Sequence, residues 1–218
     1  MKLIKYISIL GIFLVSISSN AQSKESFEKQ LLLVQHSWAK IYYESSGDAQ
    51  EDGFEQLENE IASLAKSFPN KAEAWIWHGI VQSSYAGAKG GLGALSLAKA
   101  AKKSFEKAIE IDGAAMLGSA YTSLGNLYHQ VPGWPIGFGD DDDAKRFLEK
   151  SLKLNPDGLD SNYFYGQFMY DERNYKLANE YLLKARSAPE RESRPLADQY
   201  RQEEVLTLLA KVDKKLRK

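Results

Sequence analysis

Four segments of this chain place apolar or small residues on one helical face, at steps of three, four and seven positions. They are Leu57/Glu60/Ile61/Leu64, Ala101/Ser104/Phe105/Ala108, Ala144/Phe147/Leu148/Ser151 and Ala178/Tyr181/Leu182/Ala185. That spacing is the buried face of an amphipathic helix. Twelve residues after the first member of each comes a helix stop or its neighbour: Pro69, Gly113, Pro156, and Glu190 beside Pro189. Proline ends a helix because it has no N–H donor and a fixed φ; glycine ends it because it caps easily in the left-handed region. Four segments on one template make these the second helices of four repeated units.

The first helix of each unit is predicted upstream. Ala72–Ser84 carries Trp75 and Gly79. Ser119–Gln130 carries Tyr121, Leu124, Gly125 and Tyr128. Leu159–Tyr170 carries Tyr165, Gly166 and Met169. The earliest, Phe27 to Tyr43, keeps the pattern through Leu31, Val34, Trp38 and Ile41, and Ser45-Ser46-Gly47-Asp48 breaks it. A glycine inside a helix costs about 1 kcal/mol. Its recurrence at one place therefore argues for close approach of the partner helix. From Arg194 a long tail follows, with Leu196, Tyr200, Leu206, Leu209, Val212 and Leu216 on its predicted apolar side. It reads as a capping helix, because a repeat stack must not end on bare apolar surface. The units are bounded as 28–70, 71–113, 114–156 and 157–192, with the cap at 193–217.

The order of these landmarks resembles the tetratricopeptide repeat (TPR) family over roughly residues 50–192. Residues 159–192 are the most regular copy. Elsewhere the chain departs from the pattern: His78 stands where leucine is usual, and only Phe105 keeps the second-helix aromatic, with Ile61, Leu148 and Leu182 in the other copies. The resemblance implies an all-α, TPR-type helix–turn–helix solenoid of about four repeats that binds peptides or proteins in a concave groove.

Composition changes the picture mainly by exclusion. Apolar residues make up 44% of the chain and charged residues 26%, which are globular values. A net charge of −1 leaves no electrostatic footprint for nucleic acid. The absence of cysteine removes disulfides, thiolate metal sites and a cysteine nucleophile. Residues 1–21 read as a signal peptide: Lys2 and Lys5, an apolar run from Ile7 to Ile17, then Ser19-Asn20-Ala21 with cleavage before Gln22. The run is too short for a bilayer core, which needs about 20 apolar residues. Cleavage leaves a net charge of −3 and an exported, periplasmic protein with no stable membrane insertion. The exported setting and irregular repeats are also similar to the TPR-built T components of periplasmic TRAP transport systems, a likeness of context rather than motif.

The irregularity is measurable. From packing glycine to small residue is 12 positions in the last unit (Gly166 to Ala178), but 22 for Gly79 to Ala101 and 19 for Gly125 to Ala144. Two adjacent units thus carry insertions between their helices, on one edge of the stack. The first holds Gly87, Gly90, Gly91, Leu92, Gly93 and Leu95; the second runs Val131-Pro132-Gly133-Trp134-Pro135-Ile136-Gly137-Phe138-Gly139. Proline and glycine predict ordered loop in both, not helix extension. Trp134, Ile136 and Phe138 either fold back over the core edge or line a pocket or partner contact.

The remaining candidate chemistry has mostly bland explanations. Asp140 to Asp143 lack the alternating ligands and distant glutamate of a calcium loop; Asp140 is expected to cap a helix whose first turn holds the other three. The glycines near Gly90 match neither a phosphate loop nor a dinucleotide fingerprint. His36, His78 and His129 show no metal spacing; His78 is expected in the core and His129 at the surface. Helical phase places Ile76, Ile80, Ser83, Ser84, Thr122, Asn126, His129, Gln130, Tyr163, Gln167, Tyr170 and Asp171 on the concave side, without a lysine. That absence disfavours lysine-clamped chaperone tails. The basic tail end, Lys214 to Lys218, reads as a solvated helix terminus. The expected function is a non-enzymatic binding module without cofactor or metal: a scaffold for a protein or peptide partner, or alternatively a transport accessory holding a small apolar ligand under the inserted loops. Trp134, Ile136, Phe138, Asn126, His129, Tyr163, Gln167 and Tyr170 are its candidate contacts.

Overall fold

The computed structural model describes residues 26–217; the expected signal segment lies outside them. The described chain is all-α. Helix α1 covers residues 26–44, followed by α2 (Asp48–Ser67), α3 (Ala72–Lys89), α4 (Gly91–Asp112), α5 (Ala115–Gln130), α6 (Asp141–Leu154), α7 (Leu159–Asp171), α8 (Tyr175–Arg186) and α9 (Pro195–Leu216). Each helix packs chiefly on its neighbours in sequence, α3 on α4, α5 on α6 and α7 on α8, which gives a repeat-like arrangement. No helix among the described residues is long and apolar enough to cross a membrane.

The packing glycines do what their spacing predicts. A Cβ on Gly79 would lie 2.5 Å from the Phe105 ring, one on Gly125 2.7 Å from Leu148 Cγ, and one on Gly166 2.8 Å from Leu182 Cγ. In each pair the glycine thus receives the large residue at the same place on the second helix. Ala101, Ala144 and Ala178, four positions earlier on those helices, are fully buried. The first pair inverts the device: Gly53 of α2 receives Ile41 of α1, 3.2 Å from where its Cβ would stand.

The two insertions differ. The first is not a loop. α3 continues to Lys89 and α4 begins at Gly91, with only Gly90, at φ 61°, between them. Gly87 and Gly93 lie inside helices, because packing of the lengthened pair outweighs a propensity deficit of about 1 kcal/mol per glycine. The second is a loop, as its prolines require. Gly139 N–H donates to Pro132 O at 3.0 Å, Asp140 N–H to Tyr128 O at 3.1 Å, and the Trp134–Pro135 peptide is cis. α5 opens with a left-handed turn at Met116, Leu117 and Gly118, so its regular part starts at Ser119, where the sequence pattern puts it.

The tail departs from its expected role. Its buried face is Ala197, Asp198, Arg201, Val205, Leu208 and Val212, while Leu206 and Leu216 are exposed. The C-terminal half packs with α7 and α8, in the cluster of Leu182 and Met169. The N-terminal half reaches the other end of the chain: Ala197 and Leu196 join the cluster of α1, α2 and α3. Tyr200 stacks on Tyr43 with ring centroids 4.6 Å apart, and His36 Nε2 contacts Ser193 O at 2.7 Å. α9 is therefore more than a cap on the last pair. It bridges the last helices to the first.

Gly125→Ala should destabilise the fold by about 2 kcal/mol, since the new methyl meets α6 backbone as well as Leu148. Gly87→Ala, with open space around it, should stabilise by about 0.5 kcal/mol. Urea unfolding of the two variants checks both signs.

Candidate functional site

α1, α3, α5 and α7 face a common groove of about 760 Å³, and α9 forms its remaining side. Five of the concave positions expected in α3 and α5 line it: Ile80, Ser83 and Ser84, with Asn126 and Gln130. Thr122 also borders it, but its hydroxyl is buried and bonded to Ser151. Tyr163 and Gln167 of α7 line both this groove and an adjoining cleft of about 480 Å³, where Tyr170 and Asp171 stand beside Tyr43, Tyr200 and Lys211. Asn126, Tyr163, Gln167 and Tyr170 are thus brought onto connected surfaces.

Ile76 is a correction. It is completely buried in the core cluster around α1, α2 and α3, so it offers no surface to the groove. His129 is a second one, since it borders neither cavity. Its ring lies edge-on to Phe168, Nδ1 pairs with Asp141 Oδ1 at 2.8 Å and Nε2 with Asp171 Oδ2 at 3.1 Å. Burial alone would lower its pKa, but the two carboxylates outweigh this and raise it. Asp141 is therefore more than a helix-dipole residue: it ties α6 to α5. Asp140 caps α6 by accepting from Asp143 N–H at 2.9 Å.

The three loop residues separate. Phe138 packs edge-on against Tyr128 and joins the cluster of Phe105, Leu124 and Leu127. Trp134 and Ile136 point outward, 90% and 69% exposed. Neither cavity is lined by any of the three. His78 is half-buried rather than inert: Glu58 Oε1 lies 3.0 Å from its Nε2 and also accepts from Gln82, whose Oε1 accepts from Ser104.

The groove's charged wall comes from residues that the concave pattern omits. Asp160 of α7 accepts from Arg191 Nη1 at 2.6 Å and from Arg201 Nε at 3.1 Å. Arg201 also pairs with Glu204 and lies over Tyr163 and Phe164, 4.5 and 4.7 Å from their centroids. Burial by itself pushes the Asp160 carboxyl up, but Arg191, Arg201 and Arg194 hold it well below the usual carboxylate range. Glu204 is raised by its burial despite Arg201, and burial pushes the Tyr163 phenol up to about 12. The available signal was polar residues at core phase: Asp198 and Arg201 sit three apart among Ala197, Val205, Leu208 and Val212. A charge there must find a buried partner. The chain matches no protein-family model, and comparison with curated proteins finds no match in sequence.

Asp160→Ala removes the carboxylate that Arg191 and Arg201 share, leaving each with a single acidic partner, Asp198 and Glu204, and should cost about 3 kcal/mol. Its folded pKa is depressed, so its contribution is complete above the unfolded value near about 4 and is lost as pH falls below it. Asp160→Asn should accordingly flatten the acid limb of the stability profile. His129 has the opposite sign. Its contribution is complete below about pH 6.5 and is lost as pH rises through the raised folded value. Chemical-denaturation midpoints across pH should therefore show a gap between wild type and His129→Gln that narrows on the alkaline side. A constant gap would refute the coupling.

Proposed function

We propose that this chain is an exported, non-enzymatic binding protein of the TPR type whose site is the groove between α1, α3, α5, α7 and α9. The observation that carries this reading is the crossing of α9. It narrows the shared face of the first helices to about 760 Å³, within the range of roughly 300–1,000 Å³ usual for small-molecule pockets. Aromatic walls from Trp38, Trp77 and Phe164 stand against polar groups of α5, a mixture that suits a ligand with an apolar body. The glycine-centred helix pairs support the TPR assignment. The signal-like N-terminus supports export to a bacterial periplasm, and the small-ligand reading suits a transport accessory. The site lies in the concave groove and not beneath the inserted loops.

A second reading has its own support. Trp134 and Ile136 form an exposed apolar tip on a loop fixed by backbone hydrogen bonds to both flanks. Such anchors suit a protein partner, and the protein would then act as a scaffold.

Native mass spectrometry of the protein recovered from its own periplasm separates the two. A co-purified small-molecule mass should be lost from Ser123→Trp, which fills the groove, and retained by Trp134→Ala/Ile136→Ala. A mass unaffected by groove filling would sink the first reading. Protein partners lost only from the double loop variant in a pull-down would establish the second.

A further inference from the structure

Three arginines and three carboxylates gather where α9 enters the groove, and they pair unevenly. Both oxygens of Asp160 are taken, by Arg191 and Arg201. Asp198 accepts from Arg191 through side chain and backbone N–H. Glu204 accepts from Arg201. Arg194 is left over. Among the described residues its guanidinium makes no ion pair and no hydrogen bond, and its Nε is closed off from solvent without a partner. It is held over the Trp77 ring at 4.9 Å and borders the groove.

A guanidinium carries five N–H donors in one plane and does not give up its charge. Arg194 is half-buried, and leaving its enclosed Nε–H without an acceptor is costly. Burial, with Arg191 and Arg201 close by, pushes its pKa down despite Asp160 and Asp198. An acceptor from outside would remove that penalty. Other donors on the same groove are also uncommitted: Ser123 and Asn126 are half-buried and make no side-chain hydrogen bond among the described residues. Ser84, by contrast, is engaged, accepting from Trp38 Nε1 at 2.8 Å and donating to Ile80 O at 2.9 Å.

We infer that the groove takes a singly charged organic anion with an apolar body, its charged end on Arg194, its body against Trp38 and Trp77, and Ser123 and Asn126 supplying further donors. The inference rests on the small-ligand reading of this groove. Single charge follows from the count of partners. Arg194 is the one groove cation without a carboxylate among the described residues, and no lysine lines the groove. Asp160 and Glu204 border the same space and would repel a second negative charge.

Calorimetric titration of the protein with phenylacetate, benzenesulfonate, neutral phenylacetamide and inorganic phosphate tests this. The two organic anions should bind at millimolar concentration or tighter. Phenylacetamide should bind about tenfold or more weakly, as expected for loss of a charge-assisted contact, and phosphate should not compete. Arg194→Gln should bring phenylacetate down to the level of the amide while leaving the amide unchanged. If that variant does not fold, Ser123→Phe, which leaves Arg194 and Trp77 intact, should abolish binding of both acids. The amide binding as tightly as the acid would overturn the anion and leave the small-ligand groove standing. Phosphate binding more tightly, full acid binding in Arg194→Gln or Ser123→Phe, or no binding of either organic anion would also overturn it. The native mass measurement judges the groove separately.

Discussion

One carboxylate fixes the start of α9 against α7, at the edge of the groove. Asp160, on α7, accepts from Arg191 in the segment before α9 and from Arg201 within it. Arg201 is buried and Arg191 and Asp160 are half-buried, so each charge depends on the others for partners that water no longer fully supplies. With that anchor in place, α9 lies across the first helices, Tyr200 reaches Tyr43, and Ala197 enters the core of α1 to α3. The unpaired state of Arg194 follows from how these carboxylates are shared out.

Beneath that clamp lies a simpler and more repetitive constraint. Each helix pair closes on a contact between a residue with no side chain and a large one: Gly79 with Phe105, Gly125 with Leu148, Gly166 with Leu182. Close approach buries the second-helix alanines completely and leaves the other side of each first helix free to face the groove. The clamp and the pairs divide the work. The pairs are local and set which side chains face inward; the clamp is long-range and sets what space remains between them.

The candidate site was legible to the extent that it depends on helical phase. Ile80, Ser83, Ser84, Asn126, Gln130, Tyr163 and Gln167 border the groove where a 3.6-residue period puts them. Ile76 has the same phase but is buried in the core of α1 to α3, and His129 is held between carboxylates of two other helices. Trp134, Ile136 and Phe138 could not be sorted by composition. All three are apolar and stand at alternate positions, yet only Phe138 meets Tyr128, while Trp134 and Ile136 face solvent. The glycines around Gly90 misled for a related reason: propensity is a local quantity, and packing of a long helix pair exceeds it.

By itself the sequence determined the helix pairs and their glycine contacts, though not where α3 ends and α4 begins, because each pair rests on residues close to one another in the chain and on a fixed period of 3.6. Proline did the same for the second insertion, since a missing N–H donor is a property of the residue and not of its surroundings. Only the tertiary structure decided the course of α9. Asp160 and Arg201 lie 41 positions apart, and no periodicity connects them. Their attraction acts only once folding has removed both from water. That is why Asp198 and Arg201 interrupt an apolar face in the sequence, and why Arg194, unremarkable as a surface arginine, becomes a half-buried cation without an acidic partner.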